Sequence, residues 1–188
     1  MTETAFKKIT YEDLYTIPEN MIGEIIDGGL YAMPRPSFRH SNVVSGITDE
    51  IKSPFQKGRG GPGGWIILYE PEICLGENIL VPDLAGWKKE RLSKPPEENY
   101  TTIVPDWICE VLSPGTVRID RIRKMPIYAE FGVRHIWLID PIAKTFEVYR
   151  LEAGRWMLLS THGENDRVRA EPFQEIEIAL EYLWWEDG

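Results

Sequence analysis

Apolar positions in this chain change period several times, and each change marks an element. Between Ser37 and Gln56, the residues Val44, Ile47, Ile51 and Phe55 recur every three or four positions, one face of a helix that the stretch GRGGPGG then ends. A shorter helix is expected at YEDLYTI, with Thr10 as its N-cap, an acid three positions on, and Pro18 just beyond its end. Elsewhere the pattern is that of strands. In GEIIDGGLYAMP two apolar runs flank Asp27-Gly28, a pair suited to the positive φ values of a tight turn, and a hairpin is predicted. WIILYEP, EICLG and NILVPDLAGW follow as strands, LSKPPEENYTTIVP as a surface loop, and DWICEVL as the next strand. After SPG the spacing predicts a helix from Thr116 to Phe131, stopped by Gly132 and kinked or weakened by Pro126 inside it. RHIWLID and TFEVYRL read as a second hairpin, with RWMLLS a candidate further strand.

A helix pair, strand pairs and one strand-helix-strand unit indicate an α/β fold with a mixed sheet. At 188 residues, 43% hydrophobic and 27% charged, the chain is sized for one domain over 1–188 with a full core. The longest apolar runs, GWIILY and HIWLI, fall well short of the about 20 residues that a membrane span needs. The opening MTETAFKKITYEDL has no apolar block of the signal-peptide kind, so a cytoplasmic protein with no membrane partner is expected. Cys74 and Cys109 both sit in strand-like apolar runs, where buried thiols are expected, and neither belongs to a metal motif.

The net charge of -9 speaks at first against a nucleic-acid partner. Its distribution weakens that objection. Residues 171–188 hold six acids and no Lys or Arg, which leaves 24 acids against 21 bases in the rest of the chain. Two basic clusters, Lys88, Lys89, Arg91 and Lys94, and Arg118, Arg121, Arg123 and Lys124, are either solvated faces or phosphate contacts. The amphipathic end, with Leu180, Leu183, Trp184 and Trp185 among acids, is expected to bury itself against the domain or a second copy, and a homodimer is expected.

Candidate chemistry starts from Glu110, a carboxylate in an otherwise apolar strand. Alternation puts Asp106, Ile108, Glu110 and Leu112 on one face and Trp107, Cys109 and Val111 on the other. A desolvated, unpaired carboxylate there costs several kcal/mol, so Glu110 must be solvated, paired with a base, or bound to a metal. Asp83, beside Pro82 in NILVPDLAGW, is a second strand-end acid; two carboxylates brought together repel unless a hard cation such as Mg2+ holds them. Asp106 lies about 13 Å from Glu110 along an extended strand, too far to share an ion at ~2.1 Å.

Taken together, EIIDG, RPSFRHS, VPDL, EVLSP, DRIRKMPIYAEFGV and WLIDP, in this order through residues 24–141, resemble the putative restriction endonuclease domain family, a branch of the PD-(D/E)XK nuclease superfamily. The resemblance implies a restriction endonuclease-like mixed β-sheet flanked by helices, with an additional N-terminal hairpin. It further implies Mg2+-dependent phosphodiester hydrolysis, with Mn2+ as a substitute, acting on nucleic acid and DNA first of all. Asp83, Glu110 and the Val111 carbonyl would be the metal ligands. The superfamily lysine two residues after the Glu is absent here, since position 112 is Leu. In this branch it has migrated to the following helix, where the matching residue is Lys124. A helical rise of about 12 Å from Thr116 carries Lys124 back alongside Glu110, although an i,i+4 pair with Asp120 on a solvated face explains it as well. Glu24 matches a further acid of the branch that completes the metal shell or serves a second ion. His40 reads first as a capping or surface residue and second as a phosphate contact, and Tyr128 and Trp137 as packing. No DNA-reading module is visible. Two alternatives remain: a catalytically inactive nucleic-acid-binding module, and a protein-assembly module of the same fold.

Overall fold

The computed structural model describes residues 8–185. Helix α1 (Tyr11–Leu14) starts where the Thr10 N–H donates to Asp13 Oδ2 at 2.8 Å. Strands β1 (Met21–Ile26) and β2 (Gly29–Pro34) form the predicted hairpin, turned by Asp27 and Gly28 at φ 51° and 74°. Helix α2 (Phe38–Ile51), N-capped by Ser37, runs into a wider π-type turn, Lys52–Gln56. Pro54 lies in that turn and has no N–H for the regular ladder, so pairing widens, as in the Lys57 N–H to Lys52 carbonyl bond at 3.1 Å.

Strands β3 (Trp65–Tyr69) and β4 (Glu72–Leu75) follow as expected. The single strand expected in NILVPDLAGW is two, β5 (Asn78–Leu80) and β6 (Leu84–Lys88), which belong to different sheets. Pro82 cannot donate to a ladder, and the Val81–Asp83 link uses that break to cross between the sheets. The predicted loop holds a short strand, β7 (Tyr100–Thr101), before β8 (Trp107–Val111). The helix expected over 116–131 comes in three pieces: α3 (Val117–Ile119), a π-type turn at Asp120–Lys124, and α4 (Met125–Glu130). Pro126 cannot donate to the carbonyl one turn earlier, and the Met125 N–H instead reaches Asp120 O. Strands β9 (His135–Asp140), β10 (Thr145–Glu152) and β11 (Arg155–Gly163) form a meander, and β12 (Arg167–Val168) pairs with β13 (Ile178–Ala179).

The main sheet runs β11-β10-β9-β8-β6-β3, mixed because β8 and β9 are parallel; a smaller sheet runs β2-β1-β5-β4-β7. Strand alternation divides the core as the sequence indicates. Trp107, Cys109 and Val111 pack with Val43, Ile47, Ile51 and Phe55 of the α2 segment, while Ile108 and Leu112 pack with Met125, Ile127 and Tyr128 and with Ile26, Ile73 and Leu80 of the smaller sheet. The main sheet is thus covered by α2 on one face and by α4 and the second sheet on the other. Phe173 locks the α2 side, its ring 4.8 Å from Trp65, 5.0 Å from Trp107 and 5.5 Å from Trp137. Leu180, Leu183 and Trp184 are buried in the chain's own core; Glu186 and Asp187 lie outside the described residues. Cys74 and Cys109 are free thiols. Among the described residues no helix is long and apolar enough to cross a membrane.

Candidate metal and catalytic site

Sheet register brings the two sequence-predicted acids together. Strand β6 pairs antiparallel with β8, Leu84 opposite Cys109, so the next step of the register sets Asp83 opposite Glu110. Asp83 closes the end of this ladder with its side chain: Oδ2 accepts the Val111 N–H at 2.7 Å. Its backbone carbonyl accepts the Glu70 N–H at 3.1 Å. The other carboxylate oxygen, Oδ1, lies 3.0 Å from His40 Nε2.

His40 corrects the sequence expectation of a capping or surface residue, for it is buried and reaches the cleft. Ser37 is the cap, its Oγ accepting the His40 N–H at 3.3 Å, and this fixes the ring in the first turn of α2 facing Asp83. Burial works against the imidazolium, but Asp83, with help from the Val111 backbone and Glu70, outweighs it and raises the His40 pKa. Nδ1 has no hydrogen bond of good geometry.

Lys124 occupies the centre of the second half of the site. The π-type turn directs it inward, and only 2% of the residue is exposed. Its Nζ lies 2.9 Å from Glu110 Oε1, 3.0 Å from Glu24 Oε1 and 3.7 Å from Asp120 Oδ1. The i,i+4 pair with Asp120 therefore exists, but inside the protein rather than on a solvated face. Glu24, fully buried on β1, also accepts the Val81 N–H at 2.6 Å, while its Oε2 has no partner. Tyr128 packs, as expected, and also donates to Glu110 Oε1 at 2.7 Å.

Three buried acids around one ammonium leave an excess of negative charge. Burial, reinforced by Asp120, Asp83 and Glu24 against the opposing pull of Lys124, pushes the Glu110 pKa up to about 8. Burial also raises Glu24 and Asp120, again against Lys124. For Lys124 burial opposes the charge, but Glu110 and Glu24 hold its pKa well above the ordinary lysine value. A cleft of about 490 Å³, counted with its open mouth, is lined by His40, Glu70, Asp83, Glu110, Val111 and Lys124, among others.

Hard oxygen donors suit Mg2+ or Mn2+, and the orphaned Glu24 Oε2 beside Lys124 is a buried carboxyl oxygen in want of a partner. The acids fit such an ion by their chemistry. In the present arrangement Lys124 is the cation they hold, and among the described residues no three His, Cys, Asp or Glu groups are placed to grip a metal as they stand.

Asp106 and most of the basic clusters are occupied elsewhere. Asp106 accepts from Arg91 Nη1 at 2.6 Å and from the Lys88 N–H at 2.9 Å, and Lys88 Nζ sits 4.0 Å over the Trp65 ring. Arg121 pairs with Glu147 at 2.9 Å and Arg123 with Asp27 at 3.2 Å. Lys88, Arg91, Arg121 and Arg123 are thus engaged within the fold, which bears on the two readings of the clusters, solvated face or phosphate contact, for these four residues alone. Sequence reasoning missed Glu70, whose residue type before Pro71 carried no signal; its backbone is left-handed at φ 41°.

The fold and the site can be set beside known proteins. A crystal structure described as a putative nuclease belonging to DUF820, from Anabaena variabilis, superposes with a TM-score of 0.74 over 94% of this chain and 97% of that one, at 24% identity. At that identity the likeness is one of fold. No curated protein matches. The sequence pattern of Uma2, described as "Putative restriction endonuclease", matches residues 10–181, and with nearly the whole chain covered the protein belongs to the Uma2 family.

Proposed function

We propose that this protein is a Mg2+-dependent nuclease that hydrolyses phosphodiester bonds, of DNA first of all, with Mn2+ able to substitute. Asp83, Glu110 and the Val111 carbonyl would hold the ion, and Glu24 would complete its shell or serve a second one. Bound there, the ion would polarise the phosphate and lower the pKa of a coordinated water. Lys124 orients the attacking water and offsets charge on the phosphoryl oxygens. Tyr128 keeps Glu110 in place through Oε1, which leaves Oε2 as its ligand oxygen. His40 steadies Asp83 through Oδ1, while the Val111 N–H holds Oδ2.

The observation that carries this reading is Lys124. Position 112, where the superfamily keeps its lysine, is a leucine packed in the core, yet an ammonium from the next helix stands 2.9 Å from the Glu110 carboxylate. Membership of the Uma2 family supports the same class of reaction. A second reading, an inactive module of this fold, draws on the same cluster, because Lys124 is already paired with three acids. Incubation of single- and double-stranded DNA with Mg2+ or Mn2+ separates the two. Cleavage should appear, vanish in EDTA, and vanish in the Glu110→Gln variant. If the parent cleaves nothing with either metal and takes up no Mn2+ in a calorimeter, the inactive module replaces the nuclease.

A further inference from the structure

A second hollow opens beside the cleft along the exposed flank of α2. Ser41, Ser45, Thr48 and Lys52 recur on it at helical spacing, Lys57 follows from the π-type turn, and Tyr69 at the end of β3 forms the opposite wall. The two hollows share a partition. His40 lines the cleft and its neighbour Ser41 the groove; Glu70 lines the cleft and its neighbour Tyr69 the groove. The groove thus runs alongside the site that holds Asp83 and Glu110, divided from it by these two pairs of neighbouring residues.

Several cations elsewhere in the molecule are already engaged. Arg91, Arg121, Arg123, Arg150 and Arg167 are all committed to carboxylates. Lys52 and Lys57 make no ion pair among the described residues, and the groove has one acid, Asp49, against the two of them. Tyr69 is 52% exposed while its hydroxyl donates to Glu70 Oε1 at 2.9 Å, so its ring is anchored at the partition with an apolar surface open. Anchored aromatics stack bases whatever their sequence, and a few lysines with hydroxyls track one phosphate backbone. Two free cations are few for a duplex, whose charge lies at about 1.7 Å intervals along its axis.

The geometry points to single-stranded nucleic acid, or a single-stranded tail, as the substrate, with the segment next to the cleaved phosphate lying in this groove. One base stacks on Tyr69, and successive phosphates meet Lys52 and Lys57. The inference rests on the nuclease reading of the adjacent cleft and supplies its substrate class.

Binding in EDTA tests it apart from cleavage. Fluorescein-labelled oligo(dT) and a duplex of equal length are titrated with the full-length protein at several salt concentrations, followed by anisotropy. The single strand should bind about 10-fold or more tighter. The Lys52→Ala/Lys57→Ala variant should flatten the log–log salt slope by about 1.4, which is about 0.7 for each of two phosphates. Tyr69→Leu should weaken binding about 10-fold at unchanged slope, the scale of one stacked base, and Tyr69→Trp should restore it. Duplex preference, or parental binding and slope in both variants, overturns the assignment. If that result comes with metal-dependent cleavage lost in Glu110→Gln, the nuclease reading stands and the groove alone is wrong. If the Lys and Tyr effects appear and no metal supports cleavage, the groove stands as a strand-binding surface and the nuclease reading falls.

Discussion

Replacing Glu110 by Gln should stabilise the metal-free protein, and by an amount that grows with pH. The native carboxyl keeps its proton up to about pH 8, whereas in the unfolded chain it ionises from its ordinary value of 4.5. Between those values the native state binds more protons than the unfolded one, so parental stability falls as pH rises. The slope for one such group is about 1.4 kcal/mol per pH unit. From about pH 5.5 to about pH 7.5 the parent should lose about 2.7 kcal/mol relative to the variant, or about 5–10 °C in Tm for a chain of this size. Lys124 contributes in the opposite sense, but its raised pKa lies above this window and its contribution there is constant. His40 carries stability that is present below its ordinary value and lost as pH rises through its raised one; it is common to both proteins and cancels in the difference. Glutamine keeps the acceptor for Tyr128 and Lys124, so no large cavity enters. Calorimetric or fluorescence melting of both proteins in EDTA across the range measures the difference. A Tm offset that stays flat with pH, or that turns against the variant at higher pH, refutes the protonated Glu110.

Lys124→Ala should cut metal-dependent cleavage by about 10²-fold or more, the scale of one transition-state contact, while Mn2+ binding persists in the calorimeter; parental rates would remove the lysine from the chemistry. Adding Leu112→Lys should not rescue that variant, because Leu112 is packed among apolar side chains, and its Tm should drop instead. Light scattering should give twice the 21.7 kDa chain mass, with Phe38→Ala/Trp185→Ala returning a monomer, since these two exposed aromatics share a hollow; a monomeric parent at all concentrations refutes the dimer.

Much of the architecture was legible because periodicity reports burial directly. The α2 stripe, the Asp27-Gly28 hairpin and the two-faced β8 all follow from local pattern. The passage of NILVPDLAGW from one sheet to the other was not, because Pro82 marks a break in pairing without saying which sheet the chain joins beyond it. Its route depends on which partners lie on either side, which one sequence does not state. The helix after β8 shows a similar limit. Pro126 announced a fault, but whether the backbone answers with a kink or with a widened turn depends on what the turn must point at.

Here it points Lys124 at Glu110 and Glu24, and the consequence is electrostatic rather than architectural. A regular helix would advance each residue by about 100° and about 1.5 Å, and a widened turn changes that phase locally. Asp120 and Lys124 both lie in the widened turn and are both buried. One ammonium cannot neutralise three carboxylates, so the cluster retains a proton, with Glu110 its clearest holder at neutral pH. Any divalent ion entering beside Asp83 must displace that proton or compete with Lys124. The strand end that looked in the sequence like an oddly placed acid is thus a store of negative charge balanced by a lysine and a proton.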